Sequence, residues 1–84
     1  MSAPETFAPR RDEPLFGRLA IIGIGLIGSS IAHAAKELNL ARHIVLSDRD
    51  ADVRRRAREL DLGHEIAETA IEAARDADHI VLCV

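Results

Sequence analysis

Four apolar residues, Leu19, Ala20, Ile21 and Ile22, run straight into three glycines in GxGxxG spacing, Gly23, Gly25 and Gly28, and this junction restricts the chain more than anything else in it. An apolar run without alternation reads as a strand buried on both faces, as parallel strands are. The backbone beyond Ile22 must turn sharply and open a helix while staying close enough for an anion to touch it. Only glycine meets those demands cheaply. Gly23 permits the tight turn, Gly25 removes the Cβ that would collide with a pyrophosphate, and Gly28 lets the helix lie close against the strand. The free N–H groups of the helix start and the positive end of its dipole then face the phosphates.

Glycine spacing alone is weak, since ordinary turns also use glycine, but the surrounding residues add to it. Ile27, Ile31, Ala34, Ala35 and Leu38 recur at helical spacing. The pattern predicts a helix over 27–38 with Ile31, Ala34, Ala35 and Leu38 on the sheet, His33, Lys36 and Glu37 outward, and Asn39 as an end signal. Asp48 stands 20 residues past Gly28, closing a second apolar run, His43-Ile44-Val45-Leu46-Ser47. That is where a carboxylate accepts hydrogen bonds from an adenosine ribose. The candidate cofactor-binding residues are therefore Gly23, Gly25, Leu26, Ile27, Gly28 and Asp48, with Arg49 placed to stack on an adenine or meet a 2′-phosphate. A carboxylate repels a 2′-phosphate: two charges about 4 Å apart interact by about 4 kcal/mol at an effective dielectric of about 20. NAD is the expected cofactor, and Arg49 keeps NADP open as the alternative.

The rest of the chain repeats the strand and helix alternation. Asp50 caps a helix carrying Val53, Ala57 and Leu60, its arginines Arg54, Arg55, Arg56 and Arg58 solvated, and Gly63 ends it in a left-handed conformation. A short strand around Ile66 comes next. Thr69-Ala70-Ile71-Glu72 has the form of a capping box, starting a third helix that runs to about Asp76. His79-Ile80-Val81-Leu82-Cys83-Val84 then reads as another buried parallel strand. The order β, α, β, α, weak β, α, β folds through right-handed crossovers into a Rossmann-type α/β parallel sheet of order 3-2-1-4, the N-terminal half of a doubly wound domain. Pro4, Pro9 and Pro14 amid mixed charges make 1–17 a flexible arm, leaving 18–84 as the nucleotide-binding part, with order beginning near Arg18.

Composition serves mainly to exclude. A formal net charge of -3 and the lack of Trp and Tyr argue against a nucleic-acid partner, which needs a basic surface and favours stacking rings. The single cysteine, Cys83, lies in an apolar strand with no identifiable base, so it reads as a small buried hydrophobe in a reducing compartment. No catalytic residue and no metal ligand is assigned. His33 lies about 200° around its helix from Ile31 and is expected in solvent. No run approaches the roughly 20 apolar residues of a membrane span, and residues 1–14 lack a signal-peptide core, so the expected location is cytoplasmic with no membrane partner.

The segments FGRLAIIGIGLIGSSIAHAAKE, HIVLSDRD, ARELDLGHEI and DADHIVLCV together resemble the N-terminal part of prephenate and arogenate dehydrogenases. GIGLIGSS, from Gly23 to Ser30, is the most specific of these. The resemblance implies an enzyme of tyrosine biosynthesis that passes a hydride from the cyclohexadienyl ring of prephenate or arogenate to a nicotinamide, with loss of carbon dioxide. It also implies a homodimer for the full-length protein. The histidine and the carboxylate-holding groups of that family fall later than Val84, so this stretch is expected to be a piece of a longer protein and inactive alone. β-Hydroxyacid dehydrogenases and pyrroline-carboxylate reductases share such turns, and a non-catalytic nucleotide-sensing module is a further alternative.

Overall fold

Seven elements succeed one another in strict alternation: strand β1 (Phe16–Ile22), helix α1 (Gly25–Glu37), β2 (Ala41–Ser47), α2 (Ala51–Glu59), β3 (Glu65–Ala67), α3 (Ala70–Ala74) and β4 (His79–Leu82). The computed structural model describes residues 14–84. The arm expected over 1–17 lies outside the described residues as far as residue 13. All four strands are parallel, in the order β3-β2-β1-β4, as the alternation requires. In the register, Ile22 pairs with both Ser47 and Leu82, and Ser47 pairs with Ala67. The four strands therefore end in one row, and the loops beyond them collect along a single edge.

The strands bury both faces. Leu19, Ile21, Ile44 and Leu46 pack with Ala32 and Ala35 of α1 and Ala57 of α2, while Ala20 and Val45 pack on the opposite side with Ala67 and Ala73, the latter from α3. Uninterrupted apolar strands are what such double coverage demands.

Local chemistry ends the helices. Asp50 caps α2 by accepting from the Asp52 N–H at 2.8 Å, as expected. Asn39 takes the left-handed conformation after α1, at φ 54°. Gly63 does not do so for α2, contrary to expectation; Asp61 does, at φ 53°, with its carbonyl and carboxylate both held by Lys36 Nζ, at 2.7 and 2.9 Å. Gly63 is small for a different reason, because a Cβ there would stand 3.1 Å from the Leu46 side chain. Of the capping box, the Glu72 N–H donates to Thr69 Oγ1 at 3.1 Å, but α3 stops at Ala74.

Four further expectations are corrected. Helix α1 opens at Gly25 rather than Ile27, and its buried face is Gly28, Ala32 and Ala35, with Ile31 half-buried and Ala34 and Leu38 exposed. The close seat of Gly28 on the turn brings the helix so near the sheet that only small residues fit beneath it. Leu60, the residue after α2, is exposed, and Leu62 packs against the core instead. Order reaches back to Phe16, which pairs with Ala41 and lies against the His79 ring at a centroid distance of 4.2 Å. β4 is not fully buried: as an edge strand it leaves Ile80 and Leu82 49% and 67% exposed.

Candidate nucleotide-binding site

The edge where the strands end carries a cleft of about 700 Å³, lined by Ile22 and Gly23 after β1, Ser47 to Arg49 after β2, Glu68 to Ala70 after β3, and Cys83 and Val84 after β4. Its size falls within the range of roughly 300–1,000 Å³ typical of small-molecule and cofactor sites. In open parallel sheets, ligands bind outside the carboxyl ends of the strands, at the point where the order reverses. Here that point lies between β1 and β4.

The three glycines have three distinct surroundings. Gly23 has φ 88°, and a Cβ on it would stand 2.5 Å from the Cys83 carbonyl oxygen. A Cβ on Gly28 would run into the Gly23 carbonyl oxygen, so this residue sets the distance between α1 and the turn. Gly25, at φ 42°, has nothing within 4 Å of its Cβ position. Steric demand within the chain thus explains Gly23 and Gly28, whereas Gly25 faces open space. Open space at a left-handed glycine leaves room for a group that approaches from outside, as a pyrophosphate does.

At the start of α1 the N-cap residue Ile24 offers no capping side chain, and the first turn holds no acidic residue. The first N–H groups of a helix have no partner within it, so this end carries positive potential that no acid of the helix itself offsets. Leu26 and Ile27 lie in this turn with side chains 86% and 69% exposed, and neither lines the cleft.

Asp48 comes directly after β2 and sits half-buried in the cleft wall. Its Oδ2 accepts from the Ile24 N–H and its Oδ1 from the Asp50 N–H, both at 2.9 Å. Arg54 of α2 fixes the backbone beneath, donating from Nη1 to the Asp48 carbonyl at 2.7 Å and the Arg49 carbonyl at 3.2 Å. Arg49 itself is exposed and lines the cleft.

Of the residues singled out in the sequence, the fold brings Gly23, Asp48 and Arg49 into one cleft, leaves Gly25, Leu26 and Ile27 exposed at the start of α1 and outside the cleft lining, and buries Gly28 behind the turn. Ser47, Glu68, Thr69, Ala70 and Arg54 were not anticipated. Thr69 carried a usable signal: its cap marks the loop after β3, and in a parallel sheet that loop must lie beside the one after β2. Cys83 is half-buried at the cleft rather than inside a strand. His33 is solvated as expected, paired with Glu37 at 2.9 Å. Among the described residues, no group of three or more His, Cys, Asp or Glu is arranged to hold a metal.

Residues 18–84 match the family described as NADP oxidoreductase coenzyme F420-dependent. The chain is also similar to the cyclohexadienyl dehydrogenase of Zymomonas mobilis subsp. mobilis, 44% identical over 70 residues. That alignment takes in 83% of this chain and 24% of the relative, so the chain spans about a quarter of the length of that protein.

Proposed function

The chain belongs to the family described as NADP oxidoreductase coenzyme F420-dependent, and from that premise we propose that it supplies the dinucleotide site of a dehydrogenase acting on prephenate or arogenate. The observation that carries the reading is the 44% identity to a cyclohexadienyl dehydrogenase over 70 residues of this chain. The cleft supports the cofactor half of it. The backbone at Gly25 and the first turn of α1 would hold the pyrophosphate, and Asp48 the hydroxyls of the adenosine ribose.

A nicotinamide dinucleotide held there would supply the hydride acceptor for a substrate whose ring gives up the hydride of its hydroxyl-bearing carbon and its carboxylate, as carbon dioxide, on becoming aromatic. The residues of this chain bind and orient. Gly25 would leave room for the phosphates, α1 would offer N–H donors to them, and Asp48 would hold the adenosine end. NAD is the preferred form, because the Asp48 carboxylate is tied to two backbone N–H groups and cannot swing aside for a 2′-phosphate without losing them. The full-length protein is proposed to work as a homodimer.

The test is a steady-state assay of the full-length protein with prephenate and with arogenate, each with NAD and NADP, monitoring nicotinamide reduction. Turnover of either substrate supports the reading; nucleotide binding without turnover of either removes the substrate assignment and points to a β-hydroxyacid, a pyrroline carboxylate or a sensing role. Gly25→Val should weaken NAD binding about 100-fold, or about 2.7 kcal/mol, in titration calorimetry. Unchanged affinity would remove the phosphate-turn assignment.

A further inference from the structure

We propose that Asp48 is a positioning residue for the phosphate turn as well as a reader of the ribose, so that the same carboxylate couples cofactor identity to the shape of the pyrophosphate cradle. The inference rests on the nucleotide-site reading above and extends it. Ile24 lies between two glycines of positive φ, Gly23 at 88° and Gly25 at 42°, conformations that glycine reaches as readily as others, so contacts made by the turn decide which one it keeps. The Gly23 N–H donates to the Ser47 carbonyl at 2.8 Å, and two further contacts hold Ile24 itself. The Ile24 side chain is driven into the core, 2% exposed, and the Ile24 N–H is bound by Asp48 Oδ2 across 24 residues of sequence. On the other side of the carboxylate, the Asp50 N–H and, through the Asp48 carbonyl, Arg54 hold Asp48 in place.

Each carboxylate oxygen accepts one backbone hydrogen bond and retains a second lone-pair direction, so holding the turn and accepting from a ribose diol are compatible. The negative charge also lies next to an α1 start that has no acid of its own. A turn already held in its binding shape loses less conformational freedom when a phosphate arrives, which lowers the dissociation constant. A 2′-phosphate then meets two penalties: repulsion by the carboxylate and, if the carboxylate moves, release of the turn.

The experiment separates the two roles by removing the ribose hydroxyls from the ligand. Binding of NAD, and of an NAD analogue whose adenosine ribose carries neither the 2′- nor the 3′-hydroxyl, is measured on the full-length protein and on Asp48→Ala, Asp48→Asn and Gly25→Val. If Asp48 only reads hydroxyls, the analogue binds Asp48→Ala and the unaltered protein equally, and the proposal is overturned. A positioning role predicts that Asp48→Ala weakens the analogue at least about tenfold, and Asp48→Asn, whose carboxamide oxygen keeps one of the two bonds, about threefold. Hydrogen exchange gives a second readout: the Ile24 amide should exchange at least about tenfold faster in Asp48→Ala while the Ala20 and Val45 amides are unchanged. Should Asp48→Ala fail to fold, Asp48→Asn carries both comparisons. Failure of the underlying reading has a separate signature, since Gly25→Val would then leave NAD binding intact, and in that event the Ile24 exchange rate alone upholds or refutes the clamp.

Discussion

Glycine substitutions at the turn act through three mechanisms, and their effects should separate accordingly. Gly23→Ala combines a left-handed backbone with a contact onto the Cys83 carbonyl, and Gly28→Ala drives a methyl into the Gly23 carbonyl. Both should lower stability by about 1–3 kcal/mol, the range for inserting atoms where none fit. Gly25→Ala meets open space, so its cost is the left-handed backbone alone, about 1–2 kcal/mol. Denaturant titration of the three variants checks the order, and a Gly25→Ala protein less stable than Gly28→Ala would contradict it. Binding should rank differently, because only the methyl of Gly25→Ala stands where a phosphate approaches.

At the scale of the element, a set of ionisable groups links β2 to the start of β3, away from the cleft. The Ile44 N–H donates to His64 Nδ1 at 2.8 Å, the His64 ring stacks on His43 at 5.3 Å, and His43 Nε2 pairs with Glu65 at 3.1 Å. Desolvation, with help from the nearby His43 and Lys36 and against the pull of Asp61, holds the His64 pKa below its usual value. The unfolded chain therefore binds a proton more readily than the folded one, so stability should be complete above pH 6.5 and fall as the pH drops below it. Protonated Nδ1 also ceases to accept from Ile44. Glu65 is held below its usual value chiefly by its bond to His43, so its contribution is lost only at lower pH, beneath 4.5. Urea unfolding at about pH 7.5 and about pH 5.5 should show the decline, and His64→Asn should flatten it; an equal decline in both proteins would discard the His64 account.

Taken whole, the molecule is a two-sided sheet whose coverage is uneven. α1, α2 and α3 cover the strands in the middle, whereas Ile80 and Leu82 of the edge strand β4, and Ile71 of α3, stand exposed among the described residues. An apolar edge strand offers unpaired backbone groups and hydrophobic side chains to another chain. The 84-residue polypeptide on its own is expected to self-associate in a concentration-dependent way, and the double variant Ile80→Lys, Leu82→Lys to reduce that association. Sedimentation velocity at several concentrations measures both, and a monomer at every concentration would show that the exposed edge attracts nothing.

The sequence alone determined the element order, the parallel 3-2-1-4 sheet and the position of the turn. Each of these comes from local signals: apolar runs of strand length, glycines at fixed offsets, and caps at Asp50 and Thr69. Gly23 and Gly28 could be told from Gly25 by rule, but their physical difference lies in what each faces, and Cys83 is 60 residues from Gly23 in sequence. Periodicity puts Ala35 and Ile31 on the packed face of α1 correctly but adds Ala34 and Leu38, which are exposed, and omits Ala32, which is buried with Gly28 close under the turn. Only the tertiary structure decided that Asp48 binds the Ile24 N–H across 24 residues and that Glu68 to Ala70 close the cleft. Local pattern fixes which element forms; the contents of a site depend on which strand ends the sheet brings side by side.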